Sequence, residues 1–306
     1  MSKLPVPLRG IIPPMVTPLT AYDTLDVAGV EKLVEHILGG GVHGLFILGT
    51  TGNAPALSYR LRFELIERVC KQVGKRVPVL VGITDSAFAE SINVANKAAQ
   101  CGAAGLVLAH PFYLPAAQDQ IHGYLERLVP KLQLPVFLYN MPSCTKLTFD
   151  PGWVRKAADI DGIAGLKDSS ANMVYFHKLQ TLLRDKPDFA LLVGPEELLG
   201  ETVLLGGHGG VCGGANIFPK LYVDLYNAAV AKDIDKVNNL HNKVMDISCA
   251  LYSVGIYGSS YLQGVMAAVS CLGICSDFMA EPFVAFGPKE KKVIDERLVE
   301  LGIKKK

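Results

Sequence analysis

Lys167 closes a short apolar run, Ile163-Ala164-Gly165-Leu166, which places an amine at the end of a candidate core strand. Side chains alternate faces along a strand, so Lys167 or Asp168, and not both, points inward. An amine enclosed in an apolar interior is favoured as the neutral base, which can attack a carbonyl carbon and form an imine. Position alone leaves open a lysine whose head reaches solvent or pairs with Asp168. Tyr139 ends a second apolar run, Val136-Phe137-Leu138, and precedes Lys167 by 28 residues. A phenol beside a nucleophilic amine can carry protons during imine formation and carbon–carbon cleavage. The plainer alternative is a core tyrosine with its hydroxyl at the rim. Thr50-Thr51-Gly52 offers two hydroxyls and a bend of backbone amides, a cradle suited to a carboxylate.

Other polar patterns carry less. Gly39-Gly40-Gly41-Val42-His43-Gly44 matches G-x-G-x-x-G, but it follows a helical pattern and enters a strand. A pyrophosphate loop needs the reverse order, so that helix N-terminal amides meet the phosphates. Gly206-Gly207-His208-Gly209-Gly210 with Gly213-Gly214 flanks the last strand, where barrels often bind phosphate; no basic residue accompanies the run. Crowding that excludes Cβ atoms is the alternative. The seven histidines include no H-x-H and no H-E-x-x-H, and a metal site is not expected. His110, after a strand, is the histidine best placed for a site.

The elements that must position these groups are legible. Apolar runs at Gly10–Ile12, Gly44–Leu48, Val79–Val81, Gly105–Leu108, Val136–Tyr139, Ile163–Lys167, Ala190–Gly194 and Gly209–Gly213 alternate with helical periods. Such continuous apolar strands are covered on both faces. Helices are expected at Asp26–Leu38, at Ser58–Val73, from Asp150-Pro151, and at Pro219–Ala231 after the eighth strand. Eight units predict a (β/α)8 barrel over residues 1–231, with chemistry where strands run into helices. Residues 232–306 read as a three-helix extension packed on the barrel as part of one structural unit.

Composition narrows the classes. The chain has 306 residues, 30 basic and 29 acidic, with 50% hydrophobic and only 19% charged residues. Mean hydropathy of +0.28 argues against disorder, and a net charge of +1 against a nucleic-acid partner. The uncharged stretch Ile247–Ser276 is long enough for a membrane span, yet its serines and glycines split it into two buried helices. Seven scattered cysteines without C-x-x-C spacing predict reduced, mostly buried thiols in a cytoplasmic enzyme. The N-terminus carries no secretory h-region.

Taken together, Thr17-Pro18, Gly49-Thr50-Thr51-Gly52, Pro111-Phe112-Tyr113, Tyr139-Asn140-Met141-Pro142-Ser143, Gly165-Leu166-Lys167-Asp168 and Gly206-Gly207-His208-Gly209 resemble the dihydrodipicolinate synthase / N-acetylneuraminate lyase family of class I pyruvate-dependent aldolases, across essentially the whole chain. The resemblance implies Lys167 as the Schiff-base lysine and Tyr139 as the central proton relay. It implies Thr50 and Thr51 on the pyruvate carboxylate, with Thr51 also in the relay. Tyr113 would complete that relay, from a neighbouring subunit in the synthase branch. A homotetramer, a dimer of dimers, with no metal or organic cofactor follows from the same resemblance, as do substrate contacts at Gly194 and Val211.

Two departures bear on substrate. The synthase branch has an arginine two residues after the proline of Tyr-Asn-x-Pro, where it anchors a second carboxylate. Cys144 stands there, and a thiol makes no bidentate clamp. Asn53 replaces the acidic residue that usually follows T-T-G. Glu196-Glu197 after Gly194 looks like the lyase branch, where acids bind sugar hydroxyls; a solvated helix N-terminus is the alternative. The expected activity is reversible cleavage of a 2-keto-3-deoxy sugar acid, or a related 4-hydroxy-2-oxo acid, to pyruvate and an aldehyde. Condensation of pyruvate with aspartate semialdehyde is the alternative within that chemistry. A non-catalytic keto-acid-binding regulator and a phosphate-binding isomerase are the alternatives from other classes.

Overall fold

The computed structural model describes residues 4–114 and 116–305. Ten strands occur among them: β1 Gly10–Ile11, β2 Leu19–Ala21, β3 Thr24–Leu25, β4 Leu45–Ile47, β5 Val79–Gly82, β6 Gly105–Leu108, β7 Val136–Asn140, β8 Ile163–Asp168, β9 Ala190–Val193 and β10 Gly209–Gly210. Eight of them pair in parallel in the order β1-β10-β9-β8-β7-β6-β5-β4. The ring closes just past β1, where Met15 N donates to Phe46 O at 2.8 Å and Phe46 N to Pro13 O at 2.9 Å. This is the predicted eight-stranded barrel. The exception is β2–β3, an antiparallel hairpin inserted before the first helix. No alternating pattern announced it, because its strands are only three and two residues long.

Helix boundaries follow local chemistry. Asp26 accepts from Gly29 N at the start of the helix Val27–Gly39, and Ser58 from Leu61 N at the start of Tyr59–Val73. Asp150 Oδ1 accepts from Gly152 N and Trp153 N, with Pro151 opening the helix where its missing N–H costs nothing. The G-x-G-x-x-G match lies at a helix C-terminus and leads into β4, as its sequence context indicated.

Strand parity divides the core into two. Leu45 and Ile47 pack outward against helices, whereas Phe46, Leu80, Val107, Phe137, Tyr139, Leu192 and Val211 fill the barrel interior. Register sets Tyr139 beside Lys167 on that inner face. Glycine permits a close strand approach at Gly209 (φ +150°), where a Cβ would lie 2.0 Å from Gly10 O.

The segment after residue 231 forms the three helices expected, Ile234–Leu251, Ser260–Cys271 and Pro288–Glu300. The uncharged stretch breaks at residues 252–259, and no helix among the described residues is long and apolar enough to cross a membrane. All seven cysteines are free, but "mostly buried" needs correcting. Cys70 and Cys212 are buried, Cys144 and Cys249 are exposed, and the other three are half-buried, because those five lie at helix ends or on outward faces.

Candidate active site

Lys167 sits on β8 only 6% exposed, its Nζ 4.0 Å from the centre of the Tyr139 ring and 5.4 Å from that of Phe46. Asp168 points the other way. It accepts from Asn140 Nδ2 at 2.8 Å and from Ser170 N and Oγ at 3.1 and 2.9 Å. Burial pushes the Asp168 carboxyl above its usual range, and those hydrogen bonds oppose the shift. Pairing between Lys167 and Asp168 is therefore not the arrangement. The amine faces the two aromatic rings, and no salt bridge to it occurs among the described residues.

The Thr50-Thr51 bend is built by backbone strain and one pin. Leu48 adopts φ +58° and Asn53 φ +53°, a region that non-glycine residues rarely enter. Thr17 Oγ1 donates to Gly52 O at 2.7 Å and holds the turn. The amides of Thr50 and Thr51 have no acceptor among the described residues, which leaves them available to an anion. Thr50 Oγ1 lies 3.3 Å from the Tyr139 hydroxyl, whereas Thr51 Oγ1 lies 3.4 Å from the Tyr261 hydroxyl. The threonine that meets the Tyr139 phenol is thus Thr50, whereas the expectation had Thr51 there. Adjacent turn residues point in different directions, and spacing alone does not choose between them.

A cavity of about 890 Å³ opens here at the C-terminal ends of the strands. Thr50, Thr51, Asn53, Tyr139, Cys144, Lys167, Gly194, Glu196, Glu197 and Val211 all line it. Glycine at 194 leaves room for Ser169, whose Oγ would stand 1.9 Å from an added Cβ and whose own Cβ 2.9 Å from it. Val211 is buried beside Phe46 and Tyr139. Cys144 is exposed on the short helix Pro142–Thr145.

Three expected residues are placed differently. Tyr113 is 83% exposed and does not line the cavity, so within one chain it is not brought together with Thr50 and Tyr139. Glu196 is not a spare acceptor for sugar hydroxyls. Its Oε1 accepts from Tyr222 at 2.8 Å and Tyr252 at 2.6 Å, and its Oε2 from Gly214 N at 2.7 Å. Burial raises the Glu196 carboxyl, opposed by those donors. His110 is buried, with Nδ1 against Pro111 O at 2.7 Å and its ring edge-on to Phe149, outside the cavity lining. Glu197 differs from Glu196: Ser248 Oγ donates to Oε1 at 2.5 Å, and Oε2 has no partner among the described residues.

The glycine run after β10 serves crowding. A Cβ at Gly214 would lie 1.9 Å from the Tyr222 hydroxyl, and one at Gly213 would lie 1.6 Å from that of Tyr261. Tyr222, Tyr252 and Tyr261 were not singled out in the sequence. Nothing local marks them, because their relevance arises only when the last barrel helix, which carries Tyr222, and the C-terminal segment, which carries Tyr252 and Tyr261, pack beside the barrel mouth.

Comparison with known proteins gives a consistent result. The family model described as "Dihydrodipicolinate synthetase family" matches residues 7–300. The solved structure of dihydrodipicolinate synthase from Bacteroides thetaiotaomicron is 51% identical, with a TM-score of 0.94, covering 97% of this chain and 99% of that one. The Escherichia coli K12 protein YagE, a prophage protein of the dihydrodipicolinic acid synthase family solved with pyruvate, is 29% identical with a TM-score of 0.91, over 97% and 99% of the two chains. The probable 2-dehydro-3-deoxy-D-pentonate aldolase YjhH of E. coli K12 is 29% identical over 92% of this chain and 93% of its own length.

Proposed function

This chain belongs to the dihydrodipicolinate synthetase family, and on that premise we propose that it is a class I, pyruvate-dependent aldolase that reversibly cleaves a 2-keto-3-deoxy sugar acid or a related 4-hydroxy-2-oxo acid. The carrying observation is the Lys167 amine, enclosed in the barrel 4.0 Å from the Tyr139 ring with no carboxylate beside it. Lys167 attacks the C2 carbonyl. The C2 hydroxyl of the resulting carbinolamine takes the Tyr139 phenol proton and leaves as water, giving an iminium ion and a phenolate. The phenolate removes the C4 hydroxyl proton, the C3–C4 bond breaks, and its electrons pass to the iminium nitrogen to give an enamine and a free aldehyde. Tyr139 then protonates C3, and water releases pyruvate and restores the amine and phenol. Thr50, 3.3 Å from the Tyr139 hydroxyl, holds that phenol in line, and the Thr50-Thr51 turn takes the keto-acid carboxylate. The sequence uses no metal or organic cofactor.

The acceptor end carries its own argument. Among the described residues that line the cavity, Lys167 is the one basic side chain, while Glu196, Glu197 and Glu281 are acidic. A neutral, hydroxylated aldehyde suits this wall better than a second carboxylate. Glu197 is the acceptor for its hydroxyls.

A second reading has one observation in its favour. The 51% identical relative is described as dihydrodipicolinate synthase, which favours condensation of pyruvate with aspartate semialdehyde. Exposed Phe112, Tyr113 and Leu114 support a homotetramer in which Tyr113 of one subunit completes the relay of another. The free cysteines support a cytoplasmic location. Borohydride reduction with pyruvate followed by peptide mass spectrometry tests the chemistry, with a reduced adduct expected on Lys167. Its absence sinks the aldolase reading. A panel of neutral aldehydes run beside aspartate semialdehyde in the condensation direction decides between the two substrates.

A further inference from the structure

One phenol behind the cavity is not held by Glu196. Tyr222 and Tyr252 both donate to Glu196 Oε1, whereas Tyr261 packs edge-on to Tyr252 with ring centroids 4.8 Å apart and meets Thr51 Oγ1 at 3.4 Å. That contact is longer than the roughly 2.5–3.0 Å of a good O–H···O bond, so the phenol proton remains available to a stronger acceptor. Gly213 gives up its Cβ so that this oxygen can stand against the barrel mouth. Tyr261 lines the cavity with Thr51, Tyr139 and Lys167. Burial, with Glu196 nearby, raises the Tyr261 phenol above its usual range, which keeps it a donor.

We infer that Tyr261 is a specificity-determining residue of the 2-oxo acid site, whose hydroxyl donates to the substrate carboxylate beside Thr51. The inference rests on the aldolase reading above. Donors from a phenol and a hydroxyl hold the carboxylate without placing a second basic side chain beside Lys167. Glu196 and Tyr252 are positioning residues. The buried carboxylate fixes the Tyr252 phenol, and the Tyr252 ring fixes the edge of Tyr261. The C-terminal extension thereby completes a site whose other groups come from the barrel.

The test is a titration of adduct formation by intact mass, with pyruvate and with uncharged pyruvamide, under borohydride. Tyr261→Phe is expected to raise half-saturating pyruvate about tenfold, equivalent to about 1.4 kcal/mol. Labelling at saturation stays on Lys167, and half-saturation by pyruvamide moves less than twofold. A merely structural role would shift both ligands together and lower the melting temperature. Tyr261→Met, which also lacks the hydroxyl, gives the same measurement if the phenylalanine variant does not fold. Equal half-saturation by pyruvate in wild type and variant overturns the inference. Absence of any Lys167 adduct in the wild type overturns the aldolase reading instead.

Discussion

Replacing Thr50 with valine removes one hydroxyl and almost no volume, and it asks whether the 3.3 Å contact with the Tyr139 phenol supports proton transfer. Thr51→Val is its partner experiment, because the Thr51 hydroxyl meets Tyr261 instead. The Thr50 contact lies beyond the usual O–H···O range, so its net contribution is at the level of an ordinary neutral bond, about 1 kcal/mol. By the factor of ten per 1.4 kcal/mol, that is a loss of about fivefold. Removing the Tyr139 phenol itself should cost at least about a hundredfold, the lower end for a positioned acid–base group. The assay needs no knowledge of the aldehyde. Imine and enamine interconversion exchanges the pyruvate methyl protons for solvent deuterium, which proton NMR follows directly. At saturating pyruvate, Thr50→Val should exchange about fivefold more slowly. Thr51→Val should retain its maximal rate and need more pyruvate to reach it. A Thr50→Val rate within twofold of wild type, or a larger maximal-rate loss in Thr51→Val, refutes the assignment of the relay to Thr50.

Asn140→Leu removes the donor to Asp168 and the acceptor of Phe149 N, both buried, and should cost about 3 kcal/mol in urea unfolding; a loss below about 1 kcal/mol would contradict it. His208, half-buried and accepting from Leu191 N at 3.1 Å, has its pKa lowered to about 4 from an ordinary 6.5, because desolvation disfavours its charged form and Arg9 adds to the effect. The unfolded chain binds that proton first, so stability falls as pH drops from 6.5 to 4, and His208→Asn should flatten that limb of the melting-temperature profile. Cys144→Arg adds a cation to the cavity wall and is expected to raise condensation with aspartate semialdehyde at least tenfold relative to a neutral aldehyde. An unchanged ratio in coupled assays would mean that residue 144 does not face the acceptor.

Much of the site could be read from residue order because a barrel puts its chemistry at strand ends. Lys167 and Tyr139 each terminate an apolar run, and the pleat requires that Lys167 or Asp168, not both, face inward; the structure puts Lys167 there beside Tyr139. Asp26, Ser58 and Asp150 marked helix starts because capping is a contact between near neighbours. Glu196 was legible as a residue near the site and misleading as to its role. Its two oxygens are taken by Tyr222, Tyr252 and Gly214, groups 18 to 56 residues away. Thr50 and Thr51 were found together, but the resemblance put Thr51 in the relay, whereas it is Thr50 that meets the Tyr139 phenol, a contact across 89 residues that no local pattern records. The glycines at 213 and 214 left phosphate or crowding open, and only the phenols above them show which.

Local order determined the eight strands, their buried faces, the helix caps and the amine at the end of β8, because periodicity and capping act within a few residues. Tertiary structure alone decided which threonine meets Tyr139, that Glu196 is spent on tyrosines, and that Tyr261 from the last third of the chain stands over Gly213. Those facts depend on distances between segments up to 210 residues apart, as at Thr51 and Tyr261. No pattern along the chain encodes such distances until packing of the apolar faces brings the segments together.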